Sequence, residues 1–415
     1  MHPITPVQPQ ERAQILDVLR GLALFGILLN NIYGFSGYGN MTEAMRQQLS
    51  TYPTDRLLNF LQIVFIEGKF YSIFSLLFGI GFSIILIRNE ARGINPLKIF
   101  YRRLGVLLFI GATHILFIWE GDILVLYALI GLVLPLFRKC SNKNLLLWAA
   151  LFLLSPILID TIRLGLQWGP GDSLQHFAEG WDAKNGIAGE AWRTYLFKEG
   201  SGWHEWRTYQ ETAYLYRFSF LLNNNRIPKV LGMFLLGFYV GRNSMYVNLV
   251  QHRNLLKKLL LWGFVIGLPF SMAMAYFEGD EKSIYKNAWG MADTISYAFG
   301  VVPLSLAYVA FICLVWIKAK GVSWLNVFAP VGRMALTNYL MQTMISLALF
   351  YSLGLGLGQD FGLVYLFPIA IATYILQVLY STIWFRYFEY GPLEWIWRQL
   401  TYGKRLALKT SIKKQ

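Results

Sequence analysis

Ten apolar stretches, each close to or above the length that crosses a lipid bilayer, are spread along this 415-residue chain. A helix spanning about 30 Å of hydrocarbon takes roughly 20 residues, and its backbone polar groups must be satisfied within the helix itself. The stretches fall at 15–34, 59–87, 104–119, 122–137, 145–165, 228–241, 258–277, 291–316, 328–355 and 362–385, the third, fourth and sixth being short. Hydrophobic residues make up 55% of the chain and charged ones 14%, too little polar surface to cover a soluble globule. The expected fold is all-α, a polytopic transmembrane bundle of about ten spans whose first partner is the lipid bilayer.

A net charge of +14 raises the question of nucleic acid, but its placement argues for orientation instead. Lys and Arg crowd the loops on one side of the map, notably Arg88, Arg92, Lys98, Arg102 and Arg103 after the second stretch and the tail from Lys404. Acidic residues favour the other side. This is the positive-inside pattern, and it predicts that both termini are cytoplasmic. Three parts are expected: a five-span bundle over 1–165, a polar insertion over 166–226 on the outer side, and a second five-span unit with a basic tail over 227–415. Within the insertion Trp203, Trp206, Ala213, Tyr214 and Leu221 recur at helical spacing, which predicts an amphipathic helix, either an interfacial cover or an acceptor-recognising cap. Small residues at Ser72, Ser75, Gly79 and Ser83, and at Gly237 and Gly241, predict close helix contacts.

Ionisable and amide groups inside spans are costly, so each is a candidate for pairing or function. His114 stands mid-span, with Glu120 and Asp122 six and eight residues later in a tight Trp-Glu-Gly-Asp turn. A histidine near carboxylates suits a general base, since its ordinary pKa lies near operating pH; the plainer account is a neutral histidine bonded within the bundle. Asp17 and Arg20, and Asp160 and Arg163, are spaced to pair on one helical face. Asn30 and Asn31 are adjacent amides pointing to different faces of the first span, so one can line a cavity while the other bonds a neighbour. Asn338 and Gln342 form a polar stripe on the ninth, equally suited to helix glue and ligand contact. The Gly391-Pro392-Leu393-Glu394-Trp395 turn reads as an interface anchor. Walker A, His-Glu-x-x-His, G-x-S-x-G and zinc-type Cys/His spacings do not occur, which disfavours ATP-driven transport, zinc proteolysis and serine hydrolysis; no metal is expected.

The segment ILDVLRGLALFGILLNNIYGF (15–35) resembles the opening helix of the bacterial YeiB-type membrane proteins, a family catalogued under unknown function. FYSIFSLLFGIGFSIIL from Phe70, RRLGVLLFIGATHILFIWEGDILVLYALIG from Arg102, RIPKVLGMFLLGFYVGR from Arg226, PVGRMALTNYLMQT from Pro330 and EYGPLEWIWRQLTYG from Glu389 resemble the same family in the same order. The C-terminal half, from about 230, looks like the domain that defines it. The resemblance implies a bacterial cytoplasmic membrane. A more distant similarity joins the Asp17-x-x-Arg20-Gly21 start and Asn31 to heparan-alpha-glucosaminide N-acetyltransferase and related transmembrane acyltransferases, which pass acyl groups from cytoplasmic acyl-CoA to acceptors across the membrane. In that enzyme an asparagine matching Asn31 and a histidine eleven residues later belong to the active site. Thr42 stands at the second position here, so the resemblance assigns no base.

The expectation from these readings is a membrane acyltransferase that uses acyl-CoA as donor and a hydroxyl or amine of an extracytoplasmic glycan or lipid as acceptor. Arg20, Arg102 and Arg103 would grip the coenzyme phosphates. His114 would act as base with Glu120 or Asp122 orienting or relaying, and Asn31 would bond the oxyanion. Asn30, Asn338, Gln342 and Tyr127 are the candidate substrate contacts. The rival is a transporter or exporter of a small solute or lipid, which a helix broken at mid-membrane or an internal repeat would favour.

Overall fold

The computed structural model describes residues 13–187, 194–197, 200–277, 287–320 and 324–409. The first twelve residues, 188–193 and 198–199 of the expected insertion, and the tail from 410 lie outside the described residues. Sixteen α-helices follow one another in the described chain: α1 (Gln14–Phe35), α2 (Glu43–Gln47), α3 (Tyr52–Phe65), α4 (Lys69–Glu90), α5 (Pro96–Phe117), α6 (Leu124–Val133), α7 (Asn142–Leu166), α8 (Asp172–Lys184), α9 (Trp203–Asn223), α10 (Arg226–Arg242), α11 (Arg253–Phe277), α12 (Ala288–Lys318), α13 (Ala329–Arg333), α14 (Ala335–Phe350), α15 (Leu363–Tyr387) and α16 (Pro392–Tyr402). Extended pairing among these residues is confined to one antiparallel bridge between Phe388 and Lys409. The architecture is an all-α bundle.

Each of the ten apolar stretches falls on helix, and among the described residues seven helical runs are long and apolar enough to cross a membrane, with two shorter apolar helices at Leu124–Phe137 and Ala335–Phe350. The differences from the sequence map have local causes. The third stretch starts earlier, at Pro96, because Asn95 caps α5 by accepting from the Leu97 N–H at 3.0 Å and proline suits a first helical turn. The second stretch is two helices, broken where Gly68 adopts φ +79°, a left-handed conformation that disfavours other residues. Its 22-residue part, α4, reaches about 33 Å by itself, so the break lies at one end of a crossing helix and not at its middle. The ninth divides at Met334, and the exposed backbone at the start of α14 is capped from afar. Glu394 accepts from the N–H groups of Leu336 at 2.6 Å and Thr337 at 3.1 Å, and from the Thr337 hydroxyl at 2.7 Å. The Gly-Pro-Leu-Glu-Trp turn therefore delivers a buried helix cap as well as its tryptophan.

Helices in lipid gain nothing from excluding water between them, so close approach and polar contacts decide the packing. The two predicted small-residue faces meet each other. A Cβ added to Gly79 of α4 would strike the Phe234 carbonyl of α10, and one on Gly237 would strike the Leu76 carbonyl of α4. Phe78 and Phe234 stack beside this seam with ring centroids 4.4 Å apart. The central α1 meets α13 in the same way, Gly21 under the Phe328 carbonyl and Gly332 under that of Asp17. Asp17 and Arg20 pair at 2.5 Å. Asp160 does more than pair with Arg163 at 3.0 Å. It also accepts from Asn225 at 2.8 Å and Thr294 at 2.7 Å, tying α7 to the starts of α10 and α12.

Candidate functional site

At the end of the bundle where α1 and α5 finish and α4, α6 and α10 begin lies a cavity of about 880 Å³. That size falls within the range of small-molecule sites. The helices of the insertion roof it. Asp182 of α8 accepts from Thr212 at 2.6 Å and Tyr216 at 2.7 Å of α9, which locks the pair together. The amphipathic helix foreseen from Trp203 to Leu221 exists as α9, yet its covered face includes Tyr209, Gln210, Thr212 and Ser219 beside Ala213 and Leu221, while Trp203 is 66% exposed. The roof is polar and aromatic because it closes a chamber.

Three polar side chains in its lining stand out: Asn31 from the last turns of α1, Glu120 from the turn between α5 and α6, and Arg217 from α9. Asn31 makes no hydrogen bond among the described residues. Glu120 accepts from the Tyr209 hydroxyl at 3.2 Å through Oε1, and its buried Oε2 has no partner among the described residues. Burial pushes the Glu120 carboxyl above the ordinary carboxylate range, with the Tyr209 hydrogen bond and the Arg217 charge acting weakly the other way. Arg217 clamps the turn that carries this carboxylate, donating to the Asp122 carbonyl at 2.8 and 3.0 Å and to the Gly121 carbonyl at 3.3 Å. Arg226, at the start of α10, also lines the cavity and bonds the Tyr297 hydroxyl at 3.2 Å.

His114 is 1% exposed and lies behind this lining, its ring 5.5 Å from Tyr339 and 6.3 Å from Trp119, both of which face the cavity. Its Nδ1 meets Asp122 Oδ2 at 2.9 Å and its Nε2 meets the Thr343 hydroxyl at 3.1 Å. A carboxylate accepts only, so Nδ1–H donates to Asp122, and in the neutral ring Nε2 accepts from the Thr343 hydroxyl. Asp122 Oδ1 meanwhile accepts from the Val125 N–H at 2.8 Å and so caps α6. One carboxylate thus holds α5, α6 and, through His114, α14. Replacing Asp122 with alanine is expected to destabilise the protein by about 3 kcal/mol, from a lost cap and an orphaned buried histidine, measurable by thermal unfolding in detergent.

Other sequence candidates separate into three groups. Asn30 accepts from Gln62 at 3.1 Å and borders both the main cavity and a second one of about 620 Å³ beside it. Asn338, Gln342 and Tyr127 are committed to neighbours: Asn338 donates to Ser381 at 3.1 Å, Gln342 to Gln377 at 2.9 Å, and the Tyr127 hydroxyl meets Ser75 at 2.6 Å. None of those three lines either cavity. Arg20, Arg102 and Arg103 sit at the opposite end of α1 and α5. Arg102 donates to the Leu400 carbonyl at 3.2 Å, and Arg103 lies 3.7 Å over the Trp397 ring of α16. Thr42 caps α2 by accepting from the Met45 N–H at 3.2 Å. Sequence reading passed over Arg217 and Arg226. Arg217 was findable, since it shares the four-residue spacing of Ala213 and Leu221 and so puts a cation on the covered face of an amphipathic helix. Among the described residues no three His, Cys, Asp or Glu side chains gather as a metal site needs.

The family model described as Protein of unknown function (DUF418) matches residues 240–404. A Bacillus subtilis relative bearing the name Uncharacterized protein YxaH is 33% identical over 99% of this chain and its own full length. The chain belongs to the YeiB-type family. Uncharacterized protein YeiB of Escherichia coli is 29% identical, with 94% of this chain and 96% of the relative covered, and a 39.9 kDa protein of Bacillus acidopullulyticus is 29% identical over 97% of each. The family model lies within the C-terminal half, and of the cavity's wall residues it includes Tyr339 alone; Asn31, Glu120, Arg217 and Arg226 precede it. The full-length relatives align with both parts of this chain, so the likeness extends beyond the family model to the N-terminal half that carries most of the cavity.

Proposed function

We propose that this YeiB-type protein is an integral-membrane acyltransferase and that the cavity under α8 and α9 is its transfer chamber. The observation that carries the reading is one cavity lined both by an uncommitted amide, Asn31, and by a buried carboxylate, Glu120, one oxygen of which has no partner among the described residues. Asn31 is also the residue that the resemblance to transmembrane acyltransferases marks. With both termini cytoplasmic, as the distribution of Lys and Arg favours, this chamber lies in the outer half of the membrane. The opposite end, with Arg20, Arg102 and Arg103, then faces the cytoplasm and offers cations to the phosphates of acyl-CoA.

The chemistry follows from the groups present. The acceptor hydroxyl or amine attacks the thioester carbonyl while Glu120 takes its proton, forming the new carbon–oxygen or carbon–nitrogen bond. The amide of Asn31 donates to the developing oxyanion. Collapse breaks the carbon–sulfur bond, and the departing thiolate takes the proton from Glu120, leaving coenzyme A and the acylated acceptor. His114 positions the wall through Asp122 and Thr343 and does not touch the reacting atoms. Purified protein in nanodiscs is expected to gain thermal stability with acetyl-CoA or a longer acyl-CoA, because a ligand that binds only the folded state raises apparent stability. It should also release coenzyme A thiol from them, with Asn31→Ala lowering the rate about a hundredfold. No thermal shift and no thiol release across acyl chain lengths would refute the assignment.

A solute or lipid transporter is the second reading, favoured by two adjoining cavities that share Asn30, Gly68, Tyr71 and Arg226 in their linings. Flux of a solute through proteoliposomes without any acyl donor would select it.

A further inference from the structure

At the end of the bundle opposite the two cavities, α16 contributes to neither of them and presents its faces in an order that water would not favour. Glu394, its one acid, is 8% exposed and Thr401 1%, while Ile396 and Leu400, one turn apart, are 42% and 52% exposed. A helix with an apolar outer face and a polar inner one belongs at a bilayer interface, the apolar side toward hydrocarbon. Its tryptophans are tied down there, Trp397 donating to the Arg103 carbonyl and Trp395 to the Leu406 carbonyl, each at 2.9 Å. Gly403 ends the helix at φ +64°, and the chain then folds back, the Glu389 N–H donating to the Leu408 carbonyl at 2.9 Å while Phe388 bridges Lys409. Lys404, Arg405 and Lys409 are thereby held at the surface, all three exposed. Arg102 of α5, exposed as well, reaches the same corner: it donates to the Leu400 carbonyl at 3.2 Å, and a Cβ on Gly403 would lie 3.0 Å from its guanidinium. Lys98 stands one turn earlier on α5 and is also exposed. The stretches 96–117 and 395–409 together hold seven Lys and Arg and no Asp or Glu, so nothing on these two segments neutralises the cations.

We propose that this corner, the apolar face of α16 with Arg102, Lys404 and Arg405 at its C-terminal end, is a binding site for an anionic phospholipid. The phosphodiester meets the cations and the acyl chains lie along Ile396 and Leu400, so one amphiphile satisfies both parts of the surface. A free phosphate would find the cations and leave the apolar face bare. A zwitterionic lipid brings its own ammonium, which the same cations repel. The assignment stands apart from acyl transfer in the chamber. It takes Arg102 for the lipid and leaves Arg20 and Arg103 for the coenzyme.

Purified protein in a nonionic detergent would be titrated with phosphatidylglycerol and with phosphatidylcholine of the same acyl chains, and bound lipid counted by native mass spectrometry. Phosphatidylglycerol is expected to bind about tenfold tighter, and Lys404→Gln with Arg405→Gln to erase that preference, since each cation beside a lipid phosphate contributes several-fold. Lys139→Gln with Lys143→Gln removes the same charge from exposed positions near the loop between α6 and α7 and should leave the preference intact. All four substitutions fall on exposed side chains, and unfolding temperatures within a few degrees of wild type would show that the fold is kept. Equal binding of the two lipids, or a preference untouched by the Lys404 and Arg405 pair, would overturn the proposal. So would an equal loss in the Lys139 and Lys143 pair, which would reduce the effect to net charge, or displacement of phosphatidylglycerol by coenzyme A, which would give the corner to the coenzyme.

Discussion

Glutamine in place of Glu120 is expected to lower thiol release from acyl-CoA in the presence of acceptor by at least a hundredfold, the low end of what a positioned base contributes. The swap keeps the shape and the bond with Tyr209, so the unfolding temperature should stay within a few degrees of wild type. The pH profile gives a second readout. Burial holds the Glu120 carboxyl above its usual range, and only the ionised form can take the acceptor proton. The rate should therefore rise with pH through a midpoint above the ordinary carboxylate range of about 4.3, and this limb should vanish in the Glu120→Gln variant. His114→Ala separates the two candidate bases. Its ring is closed off by Asp122 and Thr343, so it is expected to lose stability first and to retain, per folded molecule, far more activity than the glutamine variant. Equal loss of rate in the two, with the histidine variant fully folded, would return the base to His114.

Leucine at Gly237 is expected to cost about 3 kcal/mol or more of stability, the upper part of the range for overpacking, because the obstacle is the backbone of α4 and not a side chain that can turn aside. Gly79 faces the same seam from the other helix, so the two helices would have to separate along their length. Gly105→Leu supplies the control. A Cβ there has nothing within 4 Å, and the substitution should change stability by no more than about 0.5 kcal/mol. Equilibrium unfolding in mixed micelles would measure both, and equal stability of the two variants would mean that α4 and α10 do not pack backbone to backbone.

Much of this structure could be read before any coordinates. Apolar length foretold each long apolar helical run, because the energetic demand that lipid makes on a buried backbone is local and can be counted along the chain. Pairs spaced three residues apart, Asp17 with Arg20 and Asp160 with Arg163, were legible for the same reason. So were the small faces of α4 and α10, although not that each would be the other's partner. Boundaries were less visible. The turn at Gly68 and the cap that Glu394 places on α14 depend on one backbone dihedral and on a carboxylate 58 residues away from the N–H it accepts.

For the candidate site, residue type pointed at His114, Asn338 and Gln342, since each is a costly polar group in an apolar run. Tertiary structure sorted them. Whether a buried polar group is glue or site depends on whether a neighbouring helix brings it a partner, and that is a property of pairs remote in sequence. Asn338 found Ser381, Gln342 found Gln377 and His114 found Thr343, while Asn31 found open space and one oxygen of Glu120 found none. The amino-acid sequence by itself determined a lipid-embedded helical bundle and its membership of the YeiB-type family, because hydrophobic length and local spacing need no knowledge of neighbours. Only the packed structure decided where the bundle leaves a chamber, since a cavity is the place where long-range contacts fail to form.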